Sequence, residues 1–322
     1  MRFRNLSYLS VLALALSVSC TKDSPEENGN PDSETPGTDT PATGIIAKNN
    51  AMALYNDYYL AASATASDVA WTGDEPSCNA GNVPQATRDK ILLRLSYFRK
   101  AAGLHNEISE NDIKSAKAQE AALIMHANGT LDHEPPNTWK CYTDDGREAA
   151  GKSLLTTTRN APSIDSYIHD NGSANYPVGH RRWLLWPRLQ EIGIGNTSRN
   201  NAIWVLGNPG ERPDNAPEFI AWPPEGYLPK HLAYPRWSFS IPQADFSETT
   251  ISMEAQNGVA IGVAIEKLKG DFGDNTIVWQ PEINVNTLTD DTRYTVRLDN
   301  INVGGETKSF EYEVVLFDVD GQ

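Results

Sequence analysis

Tyr176-Pro177-Val178-Gly179-His180-Arg181-Arg182-Trp183-Leu184-Leu185-Trp186-Pro187 runs directly toward Gln190-Glu191-Ile192-Gly193-Ile194-Gly195. The first stretch puts a histidine and two arginines at the head of a short apolar helix, which Pro187 stops before the chain enters a strand. Upstream, Leu131-Asp132-His133-Glu134 places another histidine just past the end of a long helical pattern. Function is therefore read around two imidazoles, each able to carry a proton, ligate a metal or hold a hydrogen bond.

Working outward, apolar residues at helical spacing predict helices over 45–62, 87–103 and 113–127. Gly103 and Asn128-Gly129 supply the stops of the second and third, and Ser109 with Asp112 reads as a capping box ahead of the third. Short helices are expected over 144–155 and 162–170, then strands at 191–195 and 202–206. Residues 208–235, with Trp222-Pro223-Pro224 and Pro229, read as a Pro/Trp-rich connector in which regular ladders are hard to place. Short alternating runs then fill 236–322, punctuated by Asp271-Phe272-Gly273-Asp274 and Gly304-Gly305, and predict a small all-β sandwich of immunoglobulin-like type. The fold class is α+β.

At the amino terminus, Arg2 and Arg4 precede an apolar run over 9–16 that ends in Ser17-Val18-Ser19-Cys20. This has the grammar of a lipoprotein signal peptide over 1–19 with Cys20 as the lipidated residue, and the polar stretch 20–44 reads as a solvated tether. Lys22-Asp23 and Glu26-Glu27 resemble the acidic signal that sends Bacteroidetes lipoproteins to the cell surface. The expected location is the outer membrane, facing outward, with membrane contact through the anchor alone. With 322 residues, 39% of them hydrophobic, the chain can bury a full core after the leader is removed. A formal charge of -15 excludes nucleic acid as a natural partner, because such a surface repels phosphate. In an exported protein Cys78 and Cys141 are either one disulfide or two buried thiols.

The residues over 88–207, within an organised segment of 45–207, resemble the secreted cysteine-rich, antigen 5 and pathogenesis-related-1 superfamily (CAP, or SCP). The likeness is to the bacterial form whose second histidine sits in a Gly-His-Arg motif. It implies an α/β/α sandwich with a cleft. Leu95-Ser96-Tyr97-Phe98-Arg99 with Gly103-Leu104 resembles the opening helix. His133 and His180 resemble the two cavity histidines, and Asp170 is the nearest match to an acidic cavity residue. Ala150-Gly151-Lys152 falls where many members read Gly-Glu-Asn, so Lys152 replaces an expected glutamate.

The resemblance thus implies a cleft lined by His133, Lys152, Asp170, His180 and Arg181. Its two histidines and a carboxylate would be candidates for zinc or a similar divalent ion, but a lysine ammonium removes a ligand and repels a cation. The sequence is accordingly read without a cofactor, with a metal at His133, His180 and Asp170 as the alternative. Lys152 is expected to pair with Asp170 or with Glu148 one helical turn away. Arg181 and Arg182 invite an anion or neutralise Glu191 or Asp165, while His126 and His169 read as a packed and a surface residue. No Gly-x-Ser-x-Gly or His-Glu-x-x-His motif is present, and Ser153 beside Lys152 carries no implied geometry. The leading reading is a non-catalytic surface protein binding a small molecule, lipid, glycan or peptide. Its basic spot would favour an anionic group. The alternatives are a metal- or histidine-assisted hydrolase of peptides or envelope polymers, and a structural or adhesive module whose cleft is closed by a Lys152–Asp170 bridge.

Overall fold

A computed structural model describes residues 47–320; the expected signal peptide, Cys20 and the expected tether lie outside the described residues. Helix α1 (Lys48–Leu54) continues as a π-helical turn over Tyr55–Leu60, and α2 spans Gln85–Ala101. After β1 (Ser109–Glu110) comes α3 (Asp112–Asn128), ended by Gly129 at φ 65. Its cap differs from the expected capping box: the Asn111 side chain accepts from the Ile113 and Lys114 amides, while Ser109 is drawn into β1. Helix α4 (Asp144–Lys152) stops short of the expected 155, because Ser153–Thr156 forms strand β2. Helices α5 (Pro162–His169) and α6 (Gly179–Leu184), then strands β3 (Glu191–Asn196) and β4 (Asn201–Trp204), complete this part.

The sheet order is β1-β3-β4-β2, with β1 parallel to β3 and the other pairs antiparallel. Strand β3 shows how the layers form. Ile192 and Ile194 point to the face that packs α2, α5 and α6, whereas Gly193 and Gly195 leave the other face bare for α3. A Cβ on Gly195 would sit 2.0 Å from the Ala118 carbonyl oxygen, so only glycine lets the helix backbone lie on the strand. Ala118, Ala121, Ala122 and Met125 of α3 fill that second layer with Ala149 and Ala150 of α4. The result is the α/β/α arrangement that the resemblance implied.

The β-rich region begins earlier than 236. Strands β5 (Ile220–Trp222) and β6 (Gly226–Pro229) arise inside the expected connector, and both join sheets of the sandwich. One sheet runs β11-β12-β7-β5, from β7 (Trp237–Ile241), β11 (Val263–Ile265) and β12 (Asn275–Pro281). The other runs β10-β9-β13-β14-β6, from β9 (Thr250–Ala255), β10 (Ala260–Ile261), β13 (Thr292–Val303) and β14 (Glu306–Phe317), with β8 (Ala244–Asp245) also paired to β13. Strand β6 pairs with β14 in parallel at the edge of its sheet, and Pro229, its last residue, can sit there because an edge position need not donate. Trp222 and Trp237 are buried in the core. Cys78 and Cys141 form a disulfide with Cα atoms 5.0 Å apart.

The two regions share one hydrophobic core, in which the Phe98 ring of α2 lies 5.2 Å from that of Trp222. Arg181 crosses the junction. It is 1% exposed; its Nε donates to the Ile168 carbonyl (2.6 Å) and Nη1 to the Arg236 carbonyl (2.8 Å) and to Ser238 Oγ (3.1 Å). Replacing it with methionine would orphan buried acceptors on both sides. Arg181→Met should cost roughly 3 kcal/mol and lower the melting temperature by about 5–10 °C; an unchanged melt by calorimetry would show that the staple is dispensable.

His126 is packed inside α3 against Trp71, ring centroids 5.2 Å apart, with Nδ1 unpartnered. Burial pushes its pKa down, Arg199 adds to this, and Glu75 partly offsets it. The folded state therefore binds fewer protons than the unfolded chain near this site. The stability that neutral His126 contributes is present above the ordinary value of about 6.5 and is lost as pH falls toward the lower folded value. His126→Gln should flatten the fall in melting temperature between about pH 7 and 5, and an unaltered slope would contradict that.

Candidate functional site

Two local turns bring the site together. The chain leaves α3 at Gly129 and carries His133 back over the last turn of α4, where Gly151 leaves room for it: a Cβ there would lie 3.3 Å from the His133 carbonyl oxygen. Helix α5 ends with Asp170 at φ 53, a left-handed geometry that aspartate tolerates, and this turns its carboxylate toward the start of α6. There Oδ2 accepts from the His180 amide (2.9 Å) and Oδ1 from His180 Nδ1 (2.6 Å). His133 Nδ1 donates to the Ala150 carbonyl at 2.9 Å, a bond that fixes the proton because a carbonyl can only accept.

Both histidines line one chamber of about 410 Å³. Its walls are mostly apolar: Leu154 from β2, Val205 and Leu206 after β4, Pro177 and Trp183 around α6, and Phe272 from the β-rich region. With Nδ1 tied in each ring, Nε2 is the nitrogen left for a ligand, and in the neutral ring it accepts hydrogen bonds.

The remaining expected cleft residues have other places. Asp170 is 1% exposed and spends both carboxylate oxygens on His180, so it positions that ring and does not face the chamber. Lys152 donates to Glu148 Oε1 at 2.7 Å and lies 5.1 Å from the Trp204 ring; it belongs to an adjoining, charged hollow of about 520 Å³. His133 and Gly151 border both spaces. Arg181 is the junction staple, and Arg182 donates to the Lys269 and Asp274 carbonyls. Neither arginine meets Glu191 or Asp165; those carboxylates pair with Lys114 and with Arg94. His169 is half-buried and stacks on Tyr234 at 4.7 Å.

A metal site of the two-histidine, two-carboxylate kind does not fit these residues. Lys152 occupies one acidic place and Asp170 is withdrawn, and among the described residues there is no group of three or more His, Cys, Asp and Glu side chains arranged for an ion. Zinc sites need at least three protein ligands. Ser153 lines the chamber, but its buried Oγ bonds to neither imidazole, so no nucleophile and base are paired.

Residues 92–206 match the family model described as CAP, the cysteine-rich secretory protein family. This segment is similar to that family over a little more than a third of the chain. None of the curated proteins matches the chain. The match ends where β4 leaves the sheet, so Phe272 and Asp271 reach the chamber from outside the matched segment, on the loop between β11 and β12. Sequence reading took that loop for a turn; a phenylalanine at its tip was the available hint.

The Asp170–His180 contact is testable directly. Asp170→Ala should shift the His180 imidazole from the Nδ1–H form toward the Nε2–H form, seen by nitrogen NMR of the ring, and destabilise the protein by about 1–3 kcal/mol. An unchanged ring spectrum would mean that the carboxylate does not set the tautomer.

Proposed function

We propose that this chain is an exported lipoprotein, anchored through Cys20 in the outer membrane and facing outward, whose CAP domain holds an extracellular ligand in the chamber without transforming it. The ligand is a small or extended molecule, such as a lipid, glycan or peptide, with an apolar part inside the chamber. The observation that carries the reading is the pair of imidazoles, 47 residues apart in sequence, that face one apolar-walled space with their Nδ1 atoms already committed. Such a space, with a few fixed polar groups on apolar walls, has the makeup of a ligand pocket. The adhesive reading asked for a Lys152–Asp170 bridge, and these residues pair instead with Glu148 and His180.

A histidine-assisted hydrolase of peptides or envelope polymers is the second reading, favoured by the Asp170–His180 pair alone, which resembles the orienting half of a general base. It lacks a nucleophile bonded to that base. Binding is tested by releasing and identifying molecules retained by the purified protein. Wild type should retain compounds that a His133→Ala/His180→Ala variant of equal melting temperature does not; equal recovery from both would remove the chamber from the function.

A further inference from the structure

The chamber is completed by a loop outside the matched segment. Residues 266–274 of the β-rich region cross to α6 and are fixed there at several points. Arg182 donates Nη1 to the Lys269 carbonyl (2.7 Å) and Nη2 to the Asp274 carbonyl (2.9 Å). The Asp274 carboxylate accepts from Trp186 Nε1 (2.9 Å) and from Arg212 Nη1 (3.0 Å). Between these anchors Asp271 takes a left-handed backbone at φ 72. Phe272 lies directly on the head of α6, where a Cβ on Gly179 would come within 2.8 Å of its ring. A loop held this firmly presents its side chains as a rigid wall.

The charge of that wall reverses the ligand preference read from sequence. The anionic preference rested on a basic spot made by Lys152 and Arg181, and neither lines the chamber. Of the described residues that do, none is a lysine or arginine, and Asp271 is the one carboxylate. An imidazole that carries its proton on Nδ1 presents an acceptor at Nε2. An acceptor-rich chamber with apolar walls complements a ligand that brings an apolar body and hydrogen-bond donors.

Resting on the binding function proposed above, we infer that the 266–274 loop sets the selectivity of the chamber, Phe272 closing its apolar wall and Asp271 favouring an ammonium or other donor head group over a carboxylate. Asp271 is exposed, and Arg182 is close enough to feel its charge. The preference is therefore small, about 3- to 5-fold.

The test uses the full exported chain and three probes of matched shape: 3-phenylpropylamine, 3-phenylpropanol and 3-phenylpropionate. Each is titrated at neutral pH while the ring signals of His133 and His180 are followed by NMR. The amine should bind more tightly than the propionate by that factor, with the alcohol between them. Asp271→Asn should erase the difference between amine and propionate, and Phe272→Ala should weaken all three. If the probes move the histidine signals but the ratio of amine to propionate is unaffected by Asp271→Asn, or favours propionate in wild type, the selectivity inference falls and the chamber stands. If no probe moves either histidine, both fall.

Discussion

Asp170 accepts from the amide and the ring of His180, while at the other end of the same helix Arg99 Nη1 donates to the Leu184 (2.8 Å) and Trp186 (3.0 Å) carbonyls. Helix α6 has six residues, too few to persist on its own, so its direction is set by these partners. The guanidiniums of Arg181 and Arg182 then leave its flank for the β-rich region. Burying charge in this way costs several kcal/mol per ion unless each is well hydrogen-bonded. The bonds to backbone carbonyls offset that cost and, being directional, leave α6 one orientation. The placement of His180 follows from that orientation.

This division of labour explains the character of the chamber. The charged residues nearest the motif are consumed in holding α6: Asp170, Arg99 and Arg181 are each 1% exposed and turned away from the chamber. What remains facing inward is apolar side chains, small polar groups and the two imidazoles, with Asp271 the one carboxylate. A motif that is basic in sequence thus presents no lysine or arginine to the chamber.

How much of this could be read from the chain varies with the range of the interaction. The third helix was legible because its periodicity and Gly129 are local, although its cap moved to Asn111 once β1 claimed Ser109. Strand β3 was legible, and its glycines gain their meaning only against the carbonyl of Ala118. The approach of His133 and His180 was available through family resemblance and not through spacing. The directions of Lys152, Asp170 and Arg181 were not legible, since each depends on what tertiary packing places beside it. Strands β5 and β6 were hidden by prolines that an edge position tolerates. Phe272 was hidden because its partner, Gly179, lies 93 residues away in another layer.

Lys152 shows why a lysine at this point of α4 need not close the chamber. Glu148, exposed on α4, is shared by Lys117 and Lys152, and their hydrogen bonds hold its pKa down at about 2. The carboxylate thus keeps its charge and draws the Lys152 ammonium outward, over Trp204. Had Lys152 pointed inward, its charge would have lain beside two imidazoles and opposed any cationic head group. Drawn outward, it leaves the chamber to the histidines and gives the neighbouring hollow a mixed surface of Lys152, Arg147, Glu148, Glu134 and Asp144. The cleft is in this way divided into an apolar interior and a charged approach, with His133 standing at the border of the two.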